Sequence, residues 1–584
     1  MTAFRQALFA AVLTLTLGAC SRDQDSTAAG ADNPLLAYVP ADTPYVAANL
    51  ERLPEDVIDG YLQRMQPALD EMQLQLTAMR ADLEAVRVES DSAADADPAS
   101  SLALAVLSEL DGKLSRSGLS SLGLDILSHK VVYGMGAFPV VRLGLSDAEL
   151  LRATIRRVLE NAKIPVTEQT FQGEGFWRVT GDNPDDAPLG LYLSIQDDHL
   201  AAGLLPPAFE AEVLPYFLGL VTPADSSAHA RLSSLNGDHD YTAFGSGILD
   251  LHRLADEFLR ADSLTARALA ATGEFDAGSF SADCASELHE IIDQAPRMTM
   301  GTTELSSGAM AYQYRIESPP SLATSLSGLV ARMPAADELS DRMLDLSFGM
   351  RLGAVRDFLR EKAMAIVDDP YGCEQLQDIN DGAEQLLAQL NQPMPPFLNN
   401  FRGLRIAMNE FVPGRSQLPA GASGHLALHV EQPEMFLGMA QMFLPDLSEL
   451  ALTPGGDPVQ IPASLIPVPD VVAFAAMSND AIGLAMGAEE EATLKAFLDR
   501  PPGPEDMFLS VNYDTAAYLD YTDQMTRHFQ GDDGDDPAQA VQAIGAAARD
   551  AFRKSADRSL TTLRFGASGL TIDGRMTFKP MAQD

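Results

Sequence analysis

Long apolar runs, basic charge and cysteine are all scarce in this chain, and each scarcity closes a class of function. Past the first 19 residues no segment reaches the ~18 consecutive apolar residues of a membrane-spanning helix, so the bulk of the chain reads as globular. Lysine occurs 7 times and arginine 33 times against 83 acidic residues, a formal charge of −43. That sign repels phosphate backbones, and with no polybasic stripe to overcome it a nucleic-acid partner is excluded. Also missing are a Gly-x-Ser-x-Gly elbow, Ser-x-x-Lys, His-Glu-x-x-His, a Walker loop and Gly-x-Gly-x-x-Gly. Common hydrolase and nucleotide readings lose their support, and no cofactor, catalytic residue or metal ligand is assigned.

The N-terminus supplies an address. Arg5 is the only charge in residues 1–19, and the apolar stretch 7–19 has signal-peptide length. It ends in Leu17-Gly18-Ala19-Cys20, which resembles the lipobox of bacterial lipoproteins. The resemblance implies cleavage before Cys20 and acylation of its thiol with chains such as palmitate. Ser21 follows, where an Asp would favour retention in the inner membrane by resemblance to enterobacterial lipoproteins. The expectation is a membrane partner reached through the lipid, on the periplasmic side of the outer membrane. Residues 20–34 read as a lipidated, disordered tether, and the mature charge becomes −44 once Arg5 is removed.

The periplasm is oxidising, so Cys284 and Cys373 pair naturally as a disulfide, with two buried free thiols as the alternative. Each opens an amphipathic helix.

Alternation of apolar residues marks many short strands, and the pattern repeats. Arg142-Leu-Gly-Leu-Ser-Asp-Ala-Glu-Leu150 matches Ala427-Leu-His-Val-Glu-Gln-Pro-Glu-Met435; Asp198 and Asp480 sit in matching strand–turn–strand units. Phe244 and Asp250 recur as Phe508 and Asp514, then Ser307-Gly308 as Ser568-Gly569. This order predicts an α+β fold of two tandem similar lobes, 35–335 and 336–582. Each is expected as an antiparallel sheet whose apolar side is covered by amphipathic helices. Long helices are expected over 54–88, 102–114 and 355–390. Leu36-Ala-Tyr-Val-Pro-Ala-Asp-Thr-Pro-Tyr-Val46, the turn Leu122-Gly-Leu-Asp125 and the strand from Val131 to Met135 resemble a group of Gram-negative periplasmic lipoproteins with no assigned activity.

Four other features invite chemistry. His425 and His429 are four apart, but on a strand that spacing is roughly 13 Å, too far for one ion. Asp238-His239-Asp240 reads as a solvated loop, and Asp532, Asp533, Asp535 and Asp536 as an acidic tip. Met435, Met439 and Met442 share a helical face that reads as core, with a pocket for an acyl chain as the alternative. Trp177 reads as a strand anchor. The function expected is a non-enzymatic binding or structural protein of the envelope. Its two lobes would hold an envelope protein or a hydrophobic ligand in the groove between them. The alternative is a hydrolase with a dispersed, motif-free active site.

Overall fold

The computed structural model describes residues 33–89, 98–163, 166, 168–179, 189–273, 275, 278, 280–336, 340–412, 421–443, 447, 450–466, 471–529, 549 and 553–580. The expected leader, Cys20, most of the expected tether and the acidic run 532–536 lie outside the described residues. The described residues begin at Asn33, inside the stretch expected as tether. Asn33 caps the short turn Pro34–Tyr38 by accepting from the Leu35 amide, and its side-chain amide donates to the carbonyls of Asn49 and Lys130.

The strands in chain order are β1 Tyr45–Ala48, β2 Lys130–Met135, β3 Phe138–Gly144, β4 Gln169–Phe171, β5 Glu174–Val179, β6 Gly190–Ile195, β7 His199–Leu205, β8 Ser246–Asp250, β9 Arg297–Ser306 and β10 Ala309–Glu317. They continue as β11 Leu344–Gly349, β12 Phe401–Val412, β13 Gly421–Val430, β14 Val459–Gln460, β15 Ala473–Met477, β16 Ala481–Met486, β17 Met507–Asp514, β18 Ala556–Gly566 and β19 Gly569–Phe578. Instead of two separate sheets, all 19 join one antiparallel sheet. At its centre β10 pairs with β19, from Ala309 opposite Thr577 to Glu317 opposite Gly569. Outward from β10 run β9, β8, β1, β2, β3, β7, β6, β5 and β4. Outward from β19 run β18, β17, β11, β12, β13, β16, β15 and β14. Apart from β4, the two lists visit their half of the chain in the same order.

Local chemistry explains the elements. Asp250 and Asp514 end β8 and β17, and each carboxylate accepts an amide three residues on, from Arg253 and Ala517, so a helix starts at both places. The helix expected over 355–390 is two, Leu352–Asp368 and Gln377–Leu390, because Pro370 and Gly372 interrupt it. The Cys284–Cys373 disulfide is present, with a Cα separation of 4.6 Å. It ties helix Ala282–Ile292 to this hairpin under Leu376, Phe280 and Tyr371. No described helix is long and apolar enough to cross a membrane.

One face of the sheet is covered along both halves. In the first, Leu35, Leu36, helix Glu210–Phe217 and helix Ala228–His239 bury Val46, Val131, Tyr133, Val140, Tyr192 and Leu205. In the second, helix Glu491–Leu498 rests on alanines 407, 427, 476, 481 and 485. It comes so close that a Cβ on Gly483 would lie 2.7 Å from Leu498.

Candidate functional site

Cross-strand rows show what each face is made of. On the opposite face, which helices Glu55–Glu89 and Thr515–Phe529 cover only towards one end among the described residues, one row runs Met300, Tyr314, Ile572, Leu563, Leu509, Phe348, Leu404, Leu428, Ile482. The next runs Tyr312, Gly574, Thr561, Val511, Leu346, Ile406, Leu426, Leu484. Neither row contains a charge. Every apolar or aromatic side chain named in them is partly exposed, and Tyr314 reaches 39%. Nine strands at about 4.8 Å make this surface roughly 40 Å wide, and three or four residues along each strand make it roughly 15 Å deep. That is at or beyond the largest apolar patch expected on a soluble monomer.

The row on the other face reads differently: Gln313, Asp573, Thr562, Ser510, Ser347, Arg405, Ala427, Gly483, half-exposed at Asp573 and Thr562 and buried from Ser510 to Gly483. The expectation that helices cover the apolar side is therefore corrected for the second half. There the covered side is small and polar and the large apolar side chains face outward. The physical reason is the close seat of helix Glu491–Leu498, which only alanine and glycine positions admit. The expected groove between two lobes is likewise absent from the centre, where the β10–β19 ladder runs continuously and the Tyr312 ring lies over Gly574.

Aromatic and helical residues bound the open face at the two ends of its strands. At one end Tyr518, on helix Thr515–Phe529, packs on Tyr513 with ring centroids 4.5 Å apart. Val57 of helix Glu55–Glu89 packs on Met310 at the same end. At the other, Phe508 stacks on Phe565 at 4.9 Å and meets Phe348 edge-on at 6.1 Å.

The covered side holds the ionisable groups. Arg142, fully buried, donates to the Phe217 carbonyl at 2.8 Å, contacts His199 at 2.7 Å and lies over the Tyr38 ring. Arg405 donates to the Phe497 carbonyl at 3.2 Å, lies over the Phe497 ring and pairs with Asp345 at 3.5 Å, both side chains 2% exposed. Burial pushes the Arg405 guanidinium below its ordinary range. It also pushes His199, His425 and His429 down, so these imidazoles are held neutral.

The hydrolase reading has one constellation to weigh. His425 Nε2 lies 3.2 Å from the Thr493 hydroxyl, and His425 Nδ1 lies 3.3 Å from Glu490. The same Nε2 is 2.9 Å from the Glu490 carbonyl, and the ring has no exposed surface, sealed beneath Phe497 at 5.0 Å. Such a group packs a core and does not meet a substrate.

The remaining expected positions fall as follows. His425 and His429 do lie on a strand, β13, as the spacing predicted. Asp238 and His239 close helix Ala228–His239 and Asp240 follows in the left-handed region at φ 55°, so this is a helix end and not a loop. Trp177 is 2% exposed against Leu151 and Ile195, a strand anchor. The methionine stripe is not core: Met435 is 42% and Met442 71% exposed, because helix Pro433–Phe443 turns that face outward. Among the described residues no three His, Cys, Asp or Glu converge to hold a metal. Comparison of the chain with known protein families, with curated proteins and with solved structures finds no match.

Proposed function

We propose that the chain is a lipid-anchored envelope protein that binds the acyl chains of a hydrophobic ligand on the open face of its sheet. The carrying observation is the inversion in the second half, where polar residues are buried and uncharged apolar rows are left partly exposed among the described residues. Exposing Leu, Ile, Met and Phe in bulk disfavours the free surface by about 25 cal/mol per Å². An acyl chain laid there recovers about 0.8 kcal/mol per buried CH₂. The lipobox supports the address: Cys20, acylated after loss of residues 1–19, would hold the body at the periplasmic side of the outer membrane, where such ligands reside. The matched strand orders support an origin of 35–335 and 336–582 by duplication.

Native mass spectrometry of protein extracted gently from its own envelope tests the binding. Mass beyond the N-terminal lipid is expected in the wild type and is lost in Ile406→Glu, whose fold is checked by circular dichroism. A bare wild-type mass, or equal bound mass in both proteins, overturns the reading. Cys20→Ala is expected to move the protein from the membrane to the soluble periplasmic fraction; unchanged membrane association would refute the anchor.

A further inference from the structure

Two helices between β8 and β9 carry the same pattern, a histidine followed four residues later by an aspartate. His252 and Asp256 lie on helix Leu251–Leu259; His289 begins the last turn of helix Ala282–Ile292, and Asp293 caps it. Four residues is one helical turn, so each His and Asp share a face. The two faces meet in a crossed arrangement. His252 Nε2 is 2.9 Å from Asp293, His289 Nε2 is 3.1 Å from Asp256, and the two Nδ1 atoms face each other at 2.8 Å. The rings are nearly parallel, 17° apart with centroids 5.0 Å apart, and their side chains are 34% and 31% exposed.

From this we infer that His252 and His289 form a binding site for a borderline divalent metal such as Zn²⁺, coordinated by both Nδ1 atoms. A carboxylate on the far nitrogen of each ring is the arrangement that orients metal-bound imidazoles, fixing the tautomer and raising ligand basicity. With each Nε2 set against an aspartate, the two Nδ1 atoms are the ring nitrogens left facing one another. Zn²⁺ entering there forms two N–Zn bonds through the Nδ1 lone pairs. Tetrahedral bonds of about 2.0–2.1 Å require the nitrogens to part to about 3.3 Å, a small opening between two helices. Asp256 and Asp293 engage the opposite edges of the rings, so water completes the coordination shell, and the exposure of the pair lets it in.

Calorimetric titration of the intact protein with ZnCl₂, in excess Mg²⁺ to occupy the acidic surface, tests the site. One Zn²⁺ is expected to bind per chain, read from the stoichiometry of the heat. The event is expected to vanish in His252→Ala/His289→Ala and to weaken ten- to a hundredfold in Asp256→Asn/Asp293→Asn. Zinc binding that survives the double histidine substitution overturns the inference. X-ray absorption of the zinc-loaded wild type needs no variant to fold: two imidazole nitrogens per zinc are expected, and an all-oxygen shell overturns the assignment.

Discussion

The two halves of the sheet follow one topology with opposite chemistry. Counting outward from the central Gln313–Asp573 pair, Ser246 matches Ser510, Ala48 matches Ser347, Val131 matches Arg405 and Arg142 matches Ala427. Each half thus buries one arginine that donates to the carbonyl of a helix-end phenylalanine, Phe217 or Phe497, but from neighbouring strands. The guanidinium thus sits on neighbouring strands in the two halves and makes the same kind of contact from each. Around it the halves diverge. The first is an oily core of Val, Leu, Tyr and Phe, whereas the second pairs Asp345 with Arg405 among alanines. Strand order is therefore the same in both halves, set by the ladder and by helix seats, while the residues that fill the covered side differ.

Replacing the second half's residues with those of the first is the severest test of this equivalence. Arg405→Val removes the guanidinium beside buried Asp345 and is expected to cost about 3–5 kcal/mol in urea unfolding. The triple variant Asp345→Val, Arg405→Val, Ala427→Arg installs what the first half has at Val46, Val131 and Arg142. It is expected to recover all but about 1–2 kcal/mol. A triple variant no more stable than the single one would break the equivalence.

Acidity offers a smaller, graded comparison. His425 and His429 in the second half and His199 in the first have folded pKa values depressed chiefly by burial. The unfolded chain then binds protons that the folded one refuses. The stability these groups contribute is present above about pH 6.5 and is lost as pH falls through their folded values, by at most about 1.4 kcal/mol per pH unit for each group. The urea midpoint is expected to fall between pH 7.5 and 5.5. His425→Phe/His429→Leu should flatten the slope more than His199→Phe, and equal slopes would show that the polar half has no greater pH sensitivity.

Much of this organisation was legible in the residues. The hairpin turns at Asp198 and Asp480 and the caps at Asp250 and Asp514 are local chemistry, and the structure has a turn or helix start at each. Joining of the halves into one sheet was not legible, because β10 and β19 meet across some 260 positions of sequence by backbone hydrogen bonds that no side chain encodes. The open face was half visible. Alternation separated Leu346, Ile406 and Leu426 from Ser347, Arg405 and His425, but which register a helix covers depends on how closely that helix sits, and Gly483 decides it. Met435 and Met442 misled for the same reason. The His252–His289 pair was missed, although the repeated His-x-x-x-Asp on two helices is a signal that could have found it.

The β10–β19 ladder has one more consequence. Neighbouring strands rotate against each other by roughly 20° with a fixed hand, and because the ladder makes the nine strands of the open face continuous, those rotations accumulate to about 160° from β9 to β16. The apolar rows thus wind like a propeller blade and do not lie flat as a floor. Under the proposed binding role, a rigid planar molecule would touch such a blade along a line, whereas a chain with free torsions would follow it from one half into the other, so the curvature itself would select flexible ligands.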